Sequence, residues 1–302
     1  MHYISFCSEG EPNDKGLNLS GSKQQLIDAL VKTNLKYFMY SPKYLKDNGY
    51  GEFVKEYPNS GVVSMNPNMN LVGFCAWKPV IMLLELEKMN NGDILVYRDC
   101  NCEKYGQLKD FEDFDNTIQK ILDINEFDFF IPRDPNSFPL RDFTKSNVID
   151  ELAIDKEYSN NFPLVIANII ICRKSDTSIS ILEEWKKYCL IDKYIDGEVY
   201  SPPYPGFRWY TPEQGILSVL LSNYVLEGKY GIPKNFPNII LGDRNIHNII
   251  VHDKKIEKPT ESFTNLLSTD SAYIVTGFSV FAIMAVVFYN YKSIYKRIKK
   301  MI

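Results

Sequence analysis

Apolar residues along this chain fall into two kinds of run, short continuous blocks and stripes at helical spacing, and the two kinds alternate. Met1 to Cys7 reads as a first strand, followed by a polar, Gly- and Asn-rich loop from Ser8 to Asn18. Leu26, Ile27, Leu30 and Val31 then form a helical stripe, with Ser20 or Ser22 as its N-cap. Tyr37 to Tyr40 is a second strand ended by Ser41-Pro42, and Tyr50 to Tyr57 a short helix closed by Pro58-Asn59. Pro79 suits the first turn of a helix, where its missing N–H costs nothing, and that helix runs from Val80 to Met89. Asn90-Asn91-Gly92 provides its left-handed stop.

Asp93 to Tyr97 is a near-continuous apolar run directly after a helix, the mark of a buried strand in a parallel sheet. Helices at Ile118–Leu122 and Lys145–Leu152 enclose a strand at Asp128–Ile131. LVIANIIIC, from Leu164 to Cys172, predicts a core strand, and Ser178–Cys189 an amphipathic helix. A Pro- and aromatic-rich loop, Tyr200 to Tyr210, leads into a helix from Pro212 to Tyr224, and short apolar runs at Asn238–Leu241 and Asn248–Val251 follow. This alternation predicts an α/β fold, a mostly parallel, Rossmann-like sheet flanked by helices.

Composition narrows the picture. The chain has 302 residues, and its 45% hydrophobic and 24% charged content are ordinary for a folded domain. A net charge of -4 argues against a nucleic-acid partner, which needs a basic face. The 6 cysteines lack the spacing of a disulfide scaffold, and the C-x-C of Cys100 and Cys102 lacks a second pair for a zinc site, so free thiols and a reducing compartment are expected.

The C-terminal part differs from the rest. From Ala272 to Tyr289 there is no charge, a length that rises about 27 Å as a helix and nearly matches a bilayer core. Tyr273, Tyr289 and Tyr291 stand at its ends, and Lys292, Lys296, Arg297, Lys299 and Lys300 follow. The expected organisation is a catalytic domain over 1–252, a polar linker over 253–271, a transmembrane helix over 272–290 and a basic tail over 291–302. The basic tail favours a cytoplasmic C-terminus, whereas the lack of a signal peptide and the free thiols favour a cytosolic domain. The second placement is adopted.

Asp99-Cys100-Asn101 is the strongest chemical feature. It falls at the C-terminal end of an apolar strand, the edge where open α/β sheets bind ligands. Residues two apart on an extended segment point the same way, so Asp99 and Asn101 can address one ion and a ribose together. Such a triplet is common, and by itself it reads first as a structural turn.

Its surroundings add a resemblance. GFCAWKP, at Gly73 to Pro79, precedes GDILVYRDCNC, at Gly92 to Cys102. Gly73, Phe74, Trp77, Lys78 and Pro79 in the first block, and Gly92, Asp93, Tyr97, Asp99 and Cys102 in the second, resemble GT-A superfamily glycosyltransferases of bacteria and large viruses. Lys145, Glu184-Trp185 and Glu213-Gln214 continue the likeness over roughly residues 1 to 250. Two positions depart from it: Cys75 stands where Trp is usual, and Asn101 where Gly or an acid is usual.

The resemblance implies a glycosyltransferase with a nucleoside-diphosphate sugar as donor, a glycan, glycolipid or glycoprotein as acceptor, and Mn2+ or Mg2+ as cofactor. It implies that Ser5, Phe6 and Cys7 border the nucleotide, with Trp77, Lys78, Asp99 and Lys145 on the donor. Lys78, just before a helix N-terminus, either meets the diphosphate or is a solvated lysine, and Trp77 either stacks on ligand or fills the core. Glu213 either deprotonates the acceptor, with Gln214 beside it, or complements a helix dipole. Tyr204, Phe207, Trp209 and Tyr210 suit a sugar face or a hinge. Asp99, Asn101 and His247 (chosen over His252) are the implied metal ligands. The competing reading is a catalytically inactive, membrane-tethered scaffold of the same fold. A phosphotransferase would also place acids at a strand end, but there is no P-loop.

Overall fold

A computed structural model describes residues 1–8, 19–31, 33–57, 72–100, 118, 122, 127–132 and 138–231. The chain divides into units Met1–Ile256 and Glu257–Ile302, and every described residue lies in the first. The segment Ala272 to Tyr289, Asn101, His247 and His252 lie outside the described residues. Among the described residues, no helix is long and apolar enough to cross a membrane.

The core is one five-stranded sheet. Strand β1 (His2–Phe6) has β2 (Lys36–Tyr40) on one side and the central β3 (Ile94–Arg98) on the other, both parallel to it. Beyond β3 come β5 (Ile169–Arg173) and the edge strand β4 (Phe129–Phe130), giving the order β2-β1-β3-β5-β4. β5 runs antiparallel to both neighbours. The mostly parallel sheet expected from the sequence is therefore a mixed one. The expected strand over Leu164–Cys172 is likewise shorter, because Leu164 and Ile166 donate instead to the carbonyls of Phe138 and Pro132.

Both faces of the sheet are buried, which accounts for the near-continuous apolar runs. Ile4, Phe6, Leu95, Tyr97, Ile170 and Cys172 face one side; Tyr3, Ile94, Val96, Ile169 and Ile171 face the other. Helix α1 (Leu19–Leu30) sends Leu26 and Leu30 to the second side. Helix α3 (Trp77–Leu86) covers the first, after the short α2 (Pro42–Asp47). The chain thus steps from β1 to β2 with its helix on one face, then crosses back to β3 with its helix on the other. That reversal is a topological switch point, and open α/β sheets bind their ligands in the crevice outside the strand ends there, here those of β1 and β3.

The remaining helices pack against the first face: α4 (Ser146–Leu152), α5 (Lys156–Asn161), α6 (Asp176–Cys189), the single turn α7 (Asp192–Ile195) and α8 (Pro212–Leu226). α6 begins two residues before its apolar stripe because Ser175 caps it in a reciprocal pair with Ser178. The helix expected over Tyr50–Tyr57 is one 3-10 turn, Gly51–Val54. Cys7, Cys75, Cys100, Cys172 and Cys189 are all buried.

Candidate functional site

The approach to α3 is strained. Gly73, Phe74 and Cys75 have φ of 56°, 47° and 62°, three successive left-handed residues. A Cβ on Gly73 would lie 2.1 Å from the Phe53 carbonyl oxygen, so only glycine fits. Phe74 and Cys75 adopt this conformation at a cost of order 1–3 kcal/mol each. A stack of Phe74 on Tyr57, with centroids 4.8 Å apart, helps to hold the turn. The turn delivers Trp77 and Lys78 into the first turn of α3 rather than ahead of it.

Both side chains point inward. Trp77 stacks on Phe6 at 3.7 Å between centroids and donates its indole N–H to the Val72 carbonyl at 3.0 Å, so it fills the core. Lys78 is neither a solvated lysine nor a surface group awaiting a diphosphate. Its ammonium donates to Glu213 Oε1 at 2.9 Å and to the Ala167 carbonyl at 2.8 Å, and stands 3.6 Å from Asp99 Oδ1. Burial opposes the charge, but Asp99 and Glu213 together overcome it and hold the ammonium above the usual lysine range.

The two carboxylates arrive from different elements. Asp99 follows β3, its backbone N–H donating to the Asn168 carbonyl at 2.9 Å and its Oδ1 accepting from the Tyr97 hydroxyl. Burial and then Asp99 push the Tyr97 phenol well up, so it remains a donor. Glu213 lies in the first turn of α8, where a negative charge suits the helix dipole, and its carbonyl accepts the Trp185 indole N–H at 2.8 Å. Next to it, Gln214 Oε1 accepts the Ala167 N–H at 3.1 Å. Ala167 is therefore gripped at both backbone groups. Burial and then Glu213 raise the Cys75 thiol well above its usual value, which keeps it a neutral core group.

Exposure separates the roles. The Asp99 side chain is 25% exposed, whereas those of Glu213 and Lys78 are 7% and 5% exposed. Asp99 is the carboxylate a ligand in the crevice can reach, with Lys78 and Glu213 behind it. Ser5, Phe6 and Cys7 line the same crevice from β1 but are turned into the fold: Ser5 Oγ donates to the Arg98 carbonyl at 2.6 Å, and Cys7 N–H to the Tyr40 carbonyl at 3.0 Å.

Lys145 belongs to a second cluster. Its ammonium donates to Asp196 Oδ1 at 3.0 Å and to the carbonyls of Asp196 and Glu198 at 2.9 and 3.4 Å, over the rings of Tyr200 and Tyr210. The Pro-rich loop is pinned along its length. Tyr204 OH donates to Asp150 at 2.7 Å, Trp209 packs edge-on against Phe143, and buried Tyr210 donates to the Tyr194 carbonyl.

The implied divalent cation finds little here. Among the described residues, no group of three or more His, Cys, Asp and Glu side chains is placed to hold a metal. Asp99 offers a single carboxylate, one oxygen of which already serves the Tyr97 hydroxyl beside the Lys78 ammonium. Of the three implied ligands only Asp99 is described; Asn101 and His247 lie outside the described residues.

Sequence reasoning passed over Asn168. It stands inside the apolar run before β5, 8% exposed, and its Oδ1 has no hydrogen-bond partner among the described residues. Leaving such an oxygen buried and unpaired costs about 1–3 kcal/mol. A lone amide within LVIANIIIC was the available signal.

Fold and site together define an α/β protein with a crevice at a topological switch point and one reachable carboxylate in it. No family model, no curated protein and no solved structure matches the chain.

Proposed function

We propose that this protein is a glycosyltransferase that takes a nucleoside-diphosphate sugar as donor, with the crevice between β1 and β3 as the donor site. The observation that carries the reading is Asp99. It is a carboxylate at the end of β3, at the switch point, reachable from outside and held in place from behind by the Tyr97 hydroxyl and the Lys78 ammonium. Ligands of open α/β sheets bind at this position, and an ionised acceptor there suits the hydroxyls of a ribose or sugar. Gly73 to Pro79 and Gly92 to Cys100, from the two blocks that resemble GT-A glycosyltransferases, bring Lys78 and Asp99 together here.

Within this reading Glu213, closed off by its pair with Lys78, fixes the charge and position of the lysine. Gln214 fixes the backbone at Ala167. The C-terminal apolar segment anchors the domain to a membrane, a proposal that rests on its hydropathy.

The deciding experiment is a screen of nucleotide sugars for hydrolysis or transfer, with and without Mn2+ because the resemblance implies a cation. D99A is expected to lower turnover by at least about a hundredfold while keeping its fold at a lower melting temperature, since Tyr97 loses its acceptor and Lys78 a carboxylate. Full activity in D99A would sink the assignment.

A further inference from the structure

Asn168 stands directly across from Asp99. The antiparallel ladder pairs Ile94 with Arg173 and Arg98 with Ile169, and the bond from Asp99 N–H to the Asn168 carbonyl extends it by one step. Residues opposed in this way have Cβ atoms about 4.5–5.5 Å apart on one face of the sheet. Alternation identifies the face. Tyr97 and Ile170, two positions back and two forward, both face the side of α3 and α8. Asp99 and Asn168 therefore present a carboxylate and a carboxamide side by side, at the mouth of the crevice.

The carboxamide oxygen is the anomaly. It is buried and without a partner, in a run whose following residues are three isoleucines. Leucine has the same branching as asparagine, though more volume, and carries no polar atom to satisfy. A carbonyl oxygen held this way calls for a donor from outside the chain, and its neighbour Asp99, an acceptor when ionised, calls for donors too.

We propose that Asn168 determines specificity, its Oδ1 accepting a hydrogen bond from a ring hydroxyl of the ligand while Asp99 accepts from the adjacent hydroxyl. The inference rests on the nucleotide-sugar reading of the crevice. Rotation of the terminal amide, a broad torsion, aims the oxygen at the ligand. A vicinal diol fits this pair, and both the transferred sugar and the ribose carry one.

Calorimetry on the full chain with UDP-glucose, UDP-galactose and GDP-mannose, and with UDP and GDP alone, tests it in wild type, N168A and N168L. Binding of a nucleotide sugar is expected to weaken about 10- to 100-fold in both variants, because a site built around a hydroxyl loses discrimination with its acceptor. Weakening with the nucleotide sugar alone assigns the oxygen to the transferred sugar; equal weakening with the free nucleotide assigns it to the ribose. Both variants are expected to melt within a few degrees of the wild type, because losing an unsatisfied polar atom offsets the cavity left by alanine or the extra volume of leucine. Unchanged affinity in a wild type that does bind overturns the role of Asn168 and leaves the proposed function standing. A marked fall in melting temperature also overturns it, since the amide would then be part of the packing. A wild type that binds no nucleotide sugar overturns both.

Discussion

Lys78 and Lys145 are both buried lysines, and their surroundings drive them in opposite directions. Lys78 lies between two carboxylates from separate elements, and its ammonium is held above the ordinary range. Lys145 has one carboxylate and two carbonyls, and burial outweighs them, so its ammonium is held below that range. Burial opposes the charge in both cases; two carboxylates at 3.6 and 2.9 Å outweigh it at Lys78, and the single close one at Lys145 does not. The first lysine ties β3 to α8 beneath the crevice, and the second ties α4 to the loop that follows α7.

The largest expected effect follows from stranding Glu213. K78M leaves its carboxylate buried without a cation and the Ala167 carbonyl without its donor. Breaking a buried pair from one side costs about 3–5 kcal/mol. Denaturant unfolding of K78M should fall by that amount, and K78M/E213Q should recover most of it, because the one carboxylate left unpaired, Asp99, is 25% exposed and keeps solvent. A K78M variant within about 1 kcal/mol of wild type would show that the cluster contributes nothing to the fold.

K145M should cost less, about 1–3 kcal/mol, since Asp196 keeps some solvent and Tyr200 OH still donates to its Oδ2 at 2.6 Å. Its effect should be local. Limited proteolysis is expected to cut between residues 196 and 204 faster than in wild type, with the strands of the sheet unaffected. Uniform acceleration of cleavage across the domain would place Lys145 with Lys78 as a global support.

Much of this architecture was legible in the sequence. The apolar blocks gave β1 and β3, and Pro79 and Asn90-Asn91-Gly92 bracketed α3, so Asp99 could be set at a strand end before any coordinates. The direction of β5 was not legible. LVIANIIIC alternates identically read either way, and what turns it round is the insertion of α4 and α5 between β4 and β5. The partners of Lys78 were hidden for another reason. Glu213 lies 135 positions along the chain, and no local pattern links the two. One clue existed. A lysine in the first turn of a helix opposes the dipole there, which implies an acid nearby to offset it. Trp77 gave no such clue, since an aromatic beside a helix start suits a core and a ligand equally.

The smallest effect is a difference in alkaline stability. Because the folded-state value of Lys78 lies above its ordinary 10.5, its stabilisation is complete below that pH and is lost as pH rises further. For Lys145 the order is reversed. Its folded-state value lies below 10.5, so the unfolded chain binds the extra proton in the window between the two, and stability rises with pH there. Melting temperatures taken from about pH 8 to 11 should therefore diverge in a defined way. The gap between wild type and K145M should widen on approaching 10.5, and the gap between wild type and K78M/E213Q should narrow beyond it. Gaps that move in the same direction would mean that the second carboxylate does not set the sign.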